Sequence, residues 1–291
     1  MPASQKQTRT FDAAQGLRLT ADCYGDPEAP AVLLFHGGGQ TRHAFGGTAT
    51  ALAHAGWYAV SFDLRGHGDS DWSEAGRYHF ADYASDVVAV ASGFESPVLV
   101  GASLGGIASL RAIAETGSEP NASALVLVDI ATRMERAGTE RIRSFMTSRP
   151  EGFESLEEAA DLIAAYNPHR KRPRNLAGLE KNLRLGADGR YRWHWDPRFM
   201  QIRSLDRALS DVASLDEAAR GLAMPVLLVR GRMSDLLSEE GARHFLDLVP
   251  HAHFRDVSGA GHMIAGDRND LFTEAVTTFL ASEVRRDARA S

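Results

Sequence analysis

The 291-residue sequence predicts a doubly wound α/β domain, a mostly parallel eight-stranded sheet with helices on both faces, interrupted once by a helical insertion. Short, almost entirely apolar runs at 31–35, 58–62, 98–100, 125–128 and 225–230 alternate with longer segments of helical spacing, as strands buried on both faces and their crossover helices do. Glycine-bearing polar loops follow several of these runs, at the sheet edge where sites of parallel folds collect. Between residues 131 and 215 the strand pattern stops, and helical segments succeed one another.

The elements follow in order. Residues 8–13 and 17–24 read as a hairpin turning near Gly16, with Leu17, Leu19, Ala21 and Cys23 on one face. The run 31–35 leads into His36-Gly37-Gly38-Gly39; a helix over 45–55 stops at Gly56, and the strand 58–62 ends in Asp63-Leu64-Arg65-Gly66-His67-Gly68-Asp69-Ser70. Phe80, Tyr83, Val87 and Val90 give 78–91 a helical period. The run 98–100 enters Gly101-Ala102-Ser103-Leu104-Gly105-Gly106, a helix covers 107–114, and 125–128 stops at Asp129. Within the insertion, helices are expected over 141–147, 155–166, 176–185 and 199–208, the second opening on the capping signature Ser155-Leu156-Glu157-Glu158. Strand, helix, strand, helix then resume at 225–230, 239–249, 253–257 and 271–284. The domain reading is therefore a core of 1–130 and 216–291 with a lid of 131–215.

Composition narrows the function. Hydrophobic residues at 44% and charged residues at 24% describe an ordinary globular protein, and a formal charge of −6 argues against nucleic-acid binding. Cys23 is the only cysteine, which excludes an intramolecular disulfide and a cysteine zinc site and suits a cytoplasmic setting. The polar start and the lack of a long apolar run argue against secretion and membrane association. The expected partner is a small-molecule substrate, with no cofactor and no metal; a homo-oligomer is allowed, and nothing specifies it.

Ser103, bracketed by Gly101 and Gly105 between a strand and a helix, fits a tight turn that presents its hydroxyl at the carboxyl edge of the sheet. A serine nucleophile needs a base, a carboxylate to orient that base and donors for the developing oxyanion. Asp235, in Gly231-Arg232-Met233-Ser234-Asp235, and His262, in Gly259-Ala260-Gly261-His262, lie on loops after the next strands along that edge. The order Ser103, Asp235, His262 is that of a serine placed at such an elbow. Asp129 also ends a strand and is the alternative acid; spacing before His262 favours Asp235. His36 and His67 read as loop braces.

Five motifs in order, HGGG, DLRGHGDS, GASLGG, GRMSD and GAGH, resemble the α/β-hydrolase superfamily in its lid-bearing branch, across 8–130 and 216–285. The resemblance implies esterase chemistry with Ser103 as nucleophile, His262 as base and Asp235 as orienting acid, and the backbone N–H groups of Gly38 and Leu104 as oxyanion donors. Epoxide hydrolases and haloalkane dehalogenases of this superfamily carry aspartate where this chain has Ser103, which argues against both. In the lid, Trp193, Trp195 and Arg192 are the candidate pocket residues, within an arginine-rich stretch that includes Arg170, Arg172, Arg174, Arg184, Arg190 and Arg198. The expected activity is hydrolysis of a small carboxylic ester, lactone or thioester through an acyl-enzyme. Meta-cleavage-type carbon–carbon bond hydrolysis is the alternative reaction, and a small-molecule receptor built on the same shell the alternative class.

Overall fold

The computed structural model describes residues 6–116, 122–168, 172, 176–201, 212–264 and 269–284. Eight strands form its main sheet: β1 Gln7–Asp12, β2 Arg18–Tyr24, β3 Ala31–Phe35, β4 Tyr58–Phe62, β5 Val98–Ala102, β6 Ala124–Val128, β9 Val226–Gly231 and β10 His253–Val257. Their spatial order is β1-β2-β4-β3-β5-β6-β9-β10. The first two form an antiparallel hairpin and β2 meets β4 antiparallel; every other pairing is parallel.

The period of two along each apolar run divides the core into two layers. From β3, Leu33 and Phe35 enter the layer beneath α2 (Phe80–Ala91) and α3 (Leu104–Thr116), whereas Val32 and Leu34 enter the layer beneath α1 (Gly46–His54) and the last helix, α9 (Asn269–Phe279). Both sides of the strand are thus dry, which is why the run carries no polar residue.

The segment between β6 and β9 contains α4 (Arg136–Met146), α5 (Leu156–Tyr166) and α6 (Arg198–Gln201). The Ser155 hydroxyl caps α5 by accepting from the Glu158 N–H at 3.2 Å. The helix expected over 176–185 is instead a 3-10 segment, Ala177–Asn182, followed by β7 (Leu183–Leu185), which pairs antiparallel with β8 (Tyr191–Trp193). Turn chemistry decided this: Gly189 adopts φ +77° after Asp188, and the Gly186 N–H bonds the Arg190 carbonyl at 2.8 Å. Of the helix expected over 199–208, α6 covers the start, and 202–208 lie outside the described residues. Helix α7 (Val212–Arg220) packs on the sheet side, since Leu215 and Ala219 are buried in the same layer as α3. It is followed by α8 (Glu239–Leu248).

Candidate active site

Ser103 sits between β5 and α3 with φ +45°, a left-handed conformation that an L residue adopts at a cost. Glycine is required around it. A Cβ on Gly101 would strike the Gly105 carbonyl, and one on Gly105 would strike the Phe35 backbone. The Gly105 N–H bonds the His36 carbonyl at 3.2 Å, which ties the elbow to the loop after β3.

His262 lies on the loop after β10 and lines the same cavity as Ser103. Its Nδ1 is 2.7 Å from Asp129 Oδ2, with the Asp129 side chain fully buried. The expected partner, Asp235, is elsewhere. Its carboxylate pairs with Arg141 Nη1 at 2.6 Å and is about one-third exposed (36%). The reason is local. Asp129 immediately follows β6 at φ +51°, where its Oδ1 accepts from the Gly231 N–H at 2.9 Å and its Oδ2 accepts from the Ser234 hydroxyl. Asp235 comes four residues after the end of β9, beyond Ser234, and turns toward the cation on α4. Ser234, which sequence reasoning passed over, holds the buried carboxylate, and its oxygen also accepts from the N–H groups of Leu236 at 3.1 Å and Leu237 at 3.2 Å.

The loop after β3 is braced by three histidines that act as neutral relays. His36 Nε2 accepts from the Leu64 N–H at 3.0 Å, so its Nδ1 carries the proton and donates to the Gly37 carbonyl at 2.7 Å. His67 Nε2 accepts from the Gly39 N–H at 3.1 Å, and its Nδ1 donates to the Arg65 carbonyl at 3.0 Å. His194, from the insertion, accepts the Gly68 N–H at Nδ1 (2.7 Å) and donates from Nε2 to the Gly39 carbonyl at 3.2 Å. The Gly37 N–H is taken by Gln40 Oε1 at 3.0 Å. The N–H groups of Gly38 and Leu104 have no hydrogen-bond partner among the described residues, while those of Gly37, Gly39 and Gly105 are occupied.

Burial pushes His36 down to about 4 and His67 down to about 3, and it lowers His194 well below the usual histidine range. All three are depressed below the value of 6.5 of the unfolded chain, so the unfolded state takes up the protons first as the pH falls. The contribution of His36 and His67 to stability is complete above about 6.5 and declines toward 4 and below, at about 2 kcal/mol per histidine between pH 7 and 5, and His194 acts in the same direction. Denaturant melts across that window are expected to lose stability on acidification, and His194→Asn to flatten the slope. A pH-independent midpoint would refute the relay.

The cavity over Ser103 is largely apolar, walled by Ile107 from the core and by Ile142, Phe145, Met146, Trp195 and Phe199 from the insertion. Trp195 is buried there, and Trp193 stacks on it at 4.8 Å. Arg192 does not reach the cavity: it forms a two-point pair with Asp188 on the outside of the hairpin, at 2.6 and 2.9 Å. Arg184, Arg190 and Arg198 are likewise paired, with Asp69, Glu154 and Asp196. Arg170 and Arg174 lie outside the described residues. Arg143, which the sequence reading did not single out, lines the serine cavity from α4. Among the described residues no group of three or more His, Cys, Asp or Glu could hold a metal ion, and no helix is long and apolar enough to cross a membrane.

The family model of the α/β hydrolase fold matches residues 30–268. This chain belongs to the α/β-hydrolase fold family. An esterase of Mycobacterium tuberculosis is 29% identical over 261 residues, covering 85% of this chain and 82% of its own. A 3-hydroxybutyrate-oligomer hydrolase of Cupriavidus necator is 27% identical, with 84% of this chain and 87% of the relative covered. A 2-(acetamidomethylene)succinate hydrolase of Mesorhizobium japonicum is 25% identical over 90% of this chain and 92% of its own. Among solved structures, an E-2-(acetamidomethylene)succinate hydrolase superposes with TM-score 0.83 at 24% identity, over 96% of this chain and 100% of that one, which is a likeness of fold. As a member of this family with hydrolases among its relatives, the protein is an α/β-fold hydrolase.

Proposed function

We propose that the protein hydrolyses carboxylic esters of small molecules through an acyl-enzyme on Ser103, with His262 as base and then acid, and Asp129 as the carboxylate that orients it. The observation that carries this reading is the 2.7 Å contact between His262 Nδ1 and buried Asp129, in the cavity that also contains the strained Ser103. The esterase of Mycobacterium tuberculosis and the 3-hydroxybutyrate-oligomer hydrolase among the relatives support the ester class.

In this mechanism the Asp129 carboxylate accepts a hydrogen bond from the Nδ1–H of His262, which keeps the proton on Nδ1 and leaves Nε2 free as the base. His262 Nε2 takes the Ser103 proton as Oγ bonds to the ester carbonyl carbon. The carbonyl oxygen becomes the oxyanion, for which the unoccupied N–H groups of Gly38 and Leu104 are the donors. Collapse breaks the bond to the alcohol oxygen, which receives the proton from His262. Water, deprotonated by His262, then attacks the acyl-Ser103 carbonyl, and collapse returns the proton to Oγ and releases the acid.

A fluorophosphonate is expected to stop turnover of a p-nitrophenyl ester at one label per chain, with the mass increase on the peptide carrying Ser103. A label on another residue, or full turnover after labelling, would sink the assignment.

A further inference from the structure

A second cavity adjoins the one over Ser103, and six residues line both: Gly39, Gln40, Phe145, Tyr166, Trp195 and Met263. The partition between the two is aromatic, with Phe145 stacked on Tyr166 at 4.2 Å and Trp193 on Trp195 at 4.8 Å. The second cavity has more basic residues on its wall than the first: among the described residues its lining includes His43, which faces Asp22 at 3.5 Å, Arg172 and Lys181, and no aspartate or glutamate, whereas the first has Arg143 and His262.

The two stronger cations are differently placed. Asp161 Oδ1 accepts from Arg172 Nε at 2.6 Å, which orients the guanidinium from outside the cavity. Lys181 forms no ion pair among the described residues. On the same wall, the indole N–H of Trp193 is buried with no acceptor among the described residues, a donor short of a partner. A lysine with no carboxylate partner among the described residues, an arginine held by Asp161 and a buried indole N–H without an acceptor, next to an apolar reaction cavity, suit a ligand with an apolar body and an anionic end.

We propose that this second cavity is a subsite for a terminal carboxylate of the substrate, so that the preferred esters carry one free acid group, on either the acyl or the alcohol side. Lys181 and Arg172 are the residues that recognise the anion. The proposal rests on the ester-hydrolase reading and adds a substrate class to it.

Two series of probes test it: monomethyl esters of straight-chain diacids from succinic to sebacic acid, and acetate esters of ω-hydroxy acids of matching length. Each acid is compared with its neutral terminal amide. In at least one series the acid is expected to exceed the amide by about tenfold in kcat/KM at low salt, mostly through KM, with a best chain length and a decline as salt rises. In the Lys181→Gln/Arg172→Gln double variant the ratio of acid to amide is expected to fall to about one.

An acid-to-amide ratio near one in both series, or a preference that survives the double variant, would overturn the subsite while leaving ester hydrolysis intact. If no ester of either kind turns over, the ester reading fails. Calorimetric titration with suberate and with suberamide then decides the subsite: tighter suberate binding that the double variant loses supports it, and equal or absent binding refutes it.

Discussion

Asp129→Asn is expected to lower kcat for an ester substrate by about a thousand- to ten-thousand-fold, while Asp235→Asn keeps it within about threefold. The first substitution is nearly isosteric, and asparagine tolerates the left-handed backbone at φ +51°, so the fold should persist. What changes is the proton. The introduced amide can present an N–H to His262 Nδ1, which favours the tautomer with its proton on Nε2, facing the serine, where a base is needed. It would also leave no negative charge for the imidazolium that forms during attack. Asp235 makes none of these contacts, and its loss releases Arg141, which also donates to the Tyr166 carbonyl at 2.6 Å. Steady-state kinetics on the two variants, with near-ultraviolet circular dichroism to confirm packing, decides between them. The larger loss at Asp235 would return the acid to the position that spacing favoured.

The second large effect concerns stability. Arg65→Met is expected to cost about 3–5 kcal/mol, because it strands a buried carboxylate. Arg65 is fully buried and donates from Nε to Asp86 Oδ2 at 2.5 Å and from Nη2 to Asp86 Oδ1 at 2.6 Å. Its Nη1 reaches Gln15 at 3.1 Å and the Arg77 carbonyl at 3.2 Å. Burial nevertheless holds the Asp86 carboxyl above its ordinary range, more strongly than Arg65 lowers it. Even paired, this charge is expensive to bury, and without Arg65 its remaining donor among the described residues is the Ala14 N–H at 3.2 Å. The double variant Arg65→Met/Asp86→Leu should therefore recover much of the loss. Urea denaturation of both variants measures this, and a double variant no more stable than the single one would show that the pair is itself strongly favourable. The effect should also reach the site, because the Arg65 carbonyl anchors His67, which holds the Gly39 N–H.

Much of this architecture is local and was legible in the chain. The run 31–35 is apolar throughout because both of its faces are buried, and the glycines around Ser103 are there because backbone passes where a Cβ would stand. The nucleophile's elbow, the histidine loop and the brace roles of His36 and His67 rest on short-range patterns of this kind. The hairpin at 183–193 also carries a local signal, since Leu183 and Leu185 alternate and Asp188-Gly189 is a turn signal.

The choice of acid was of another kind. Asp129 and Asp235 both follow strands, and their identity, spacing and order did not settle which one meets His262. That depended on the parallel pairing of β6 with β9, which places Asp129 beside Gly231 and Ser234, and on Arg141, distant in sequence, which draws Asp235 away. The arginines followed the same rule. Composition marked the insertion as basic, but a guanidinium goes to the nearest carboxylate, so Arg192 turned outward to Asp188 while Arg143 lines the serine cavity. Sequence alone determined the fold, the elbow at Ser103 and the loop that carries His262, because each follows from backbone sterics or from burial repeated along the chain. Tertiary structure alone decided the partner of His262 and the residues lining the cavities, because charge pairing acts between side chains brought together only when the sheet and the insertion assemble.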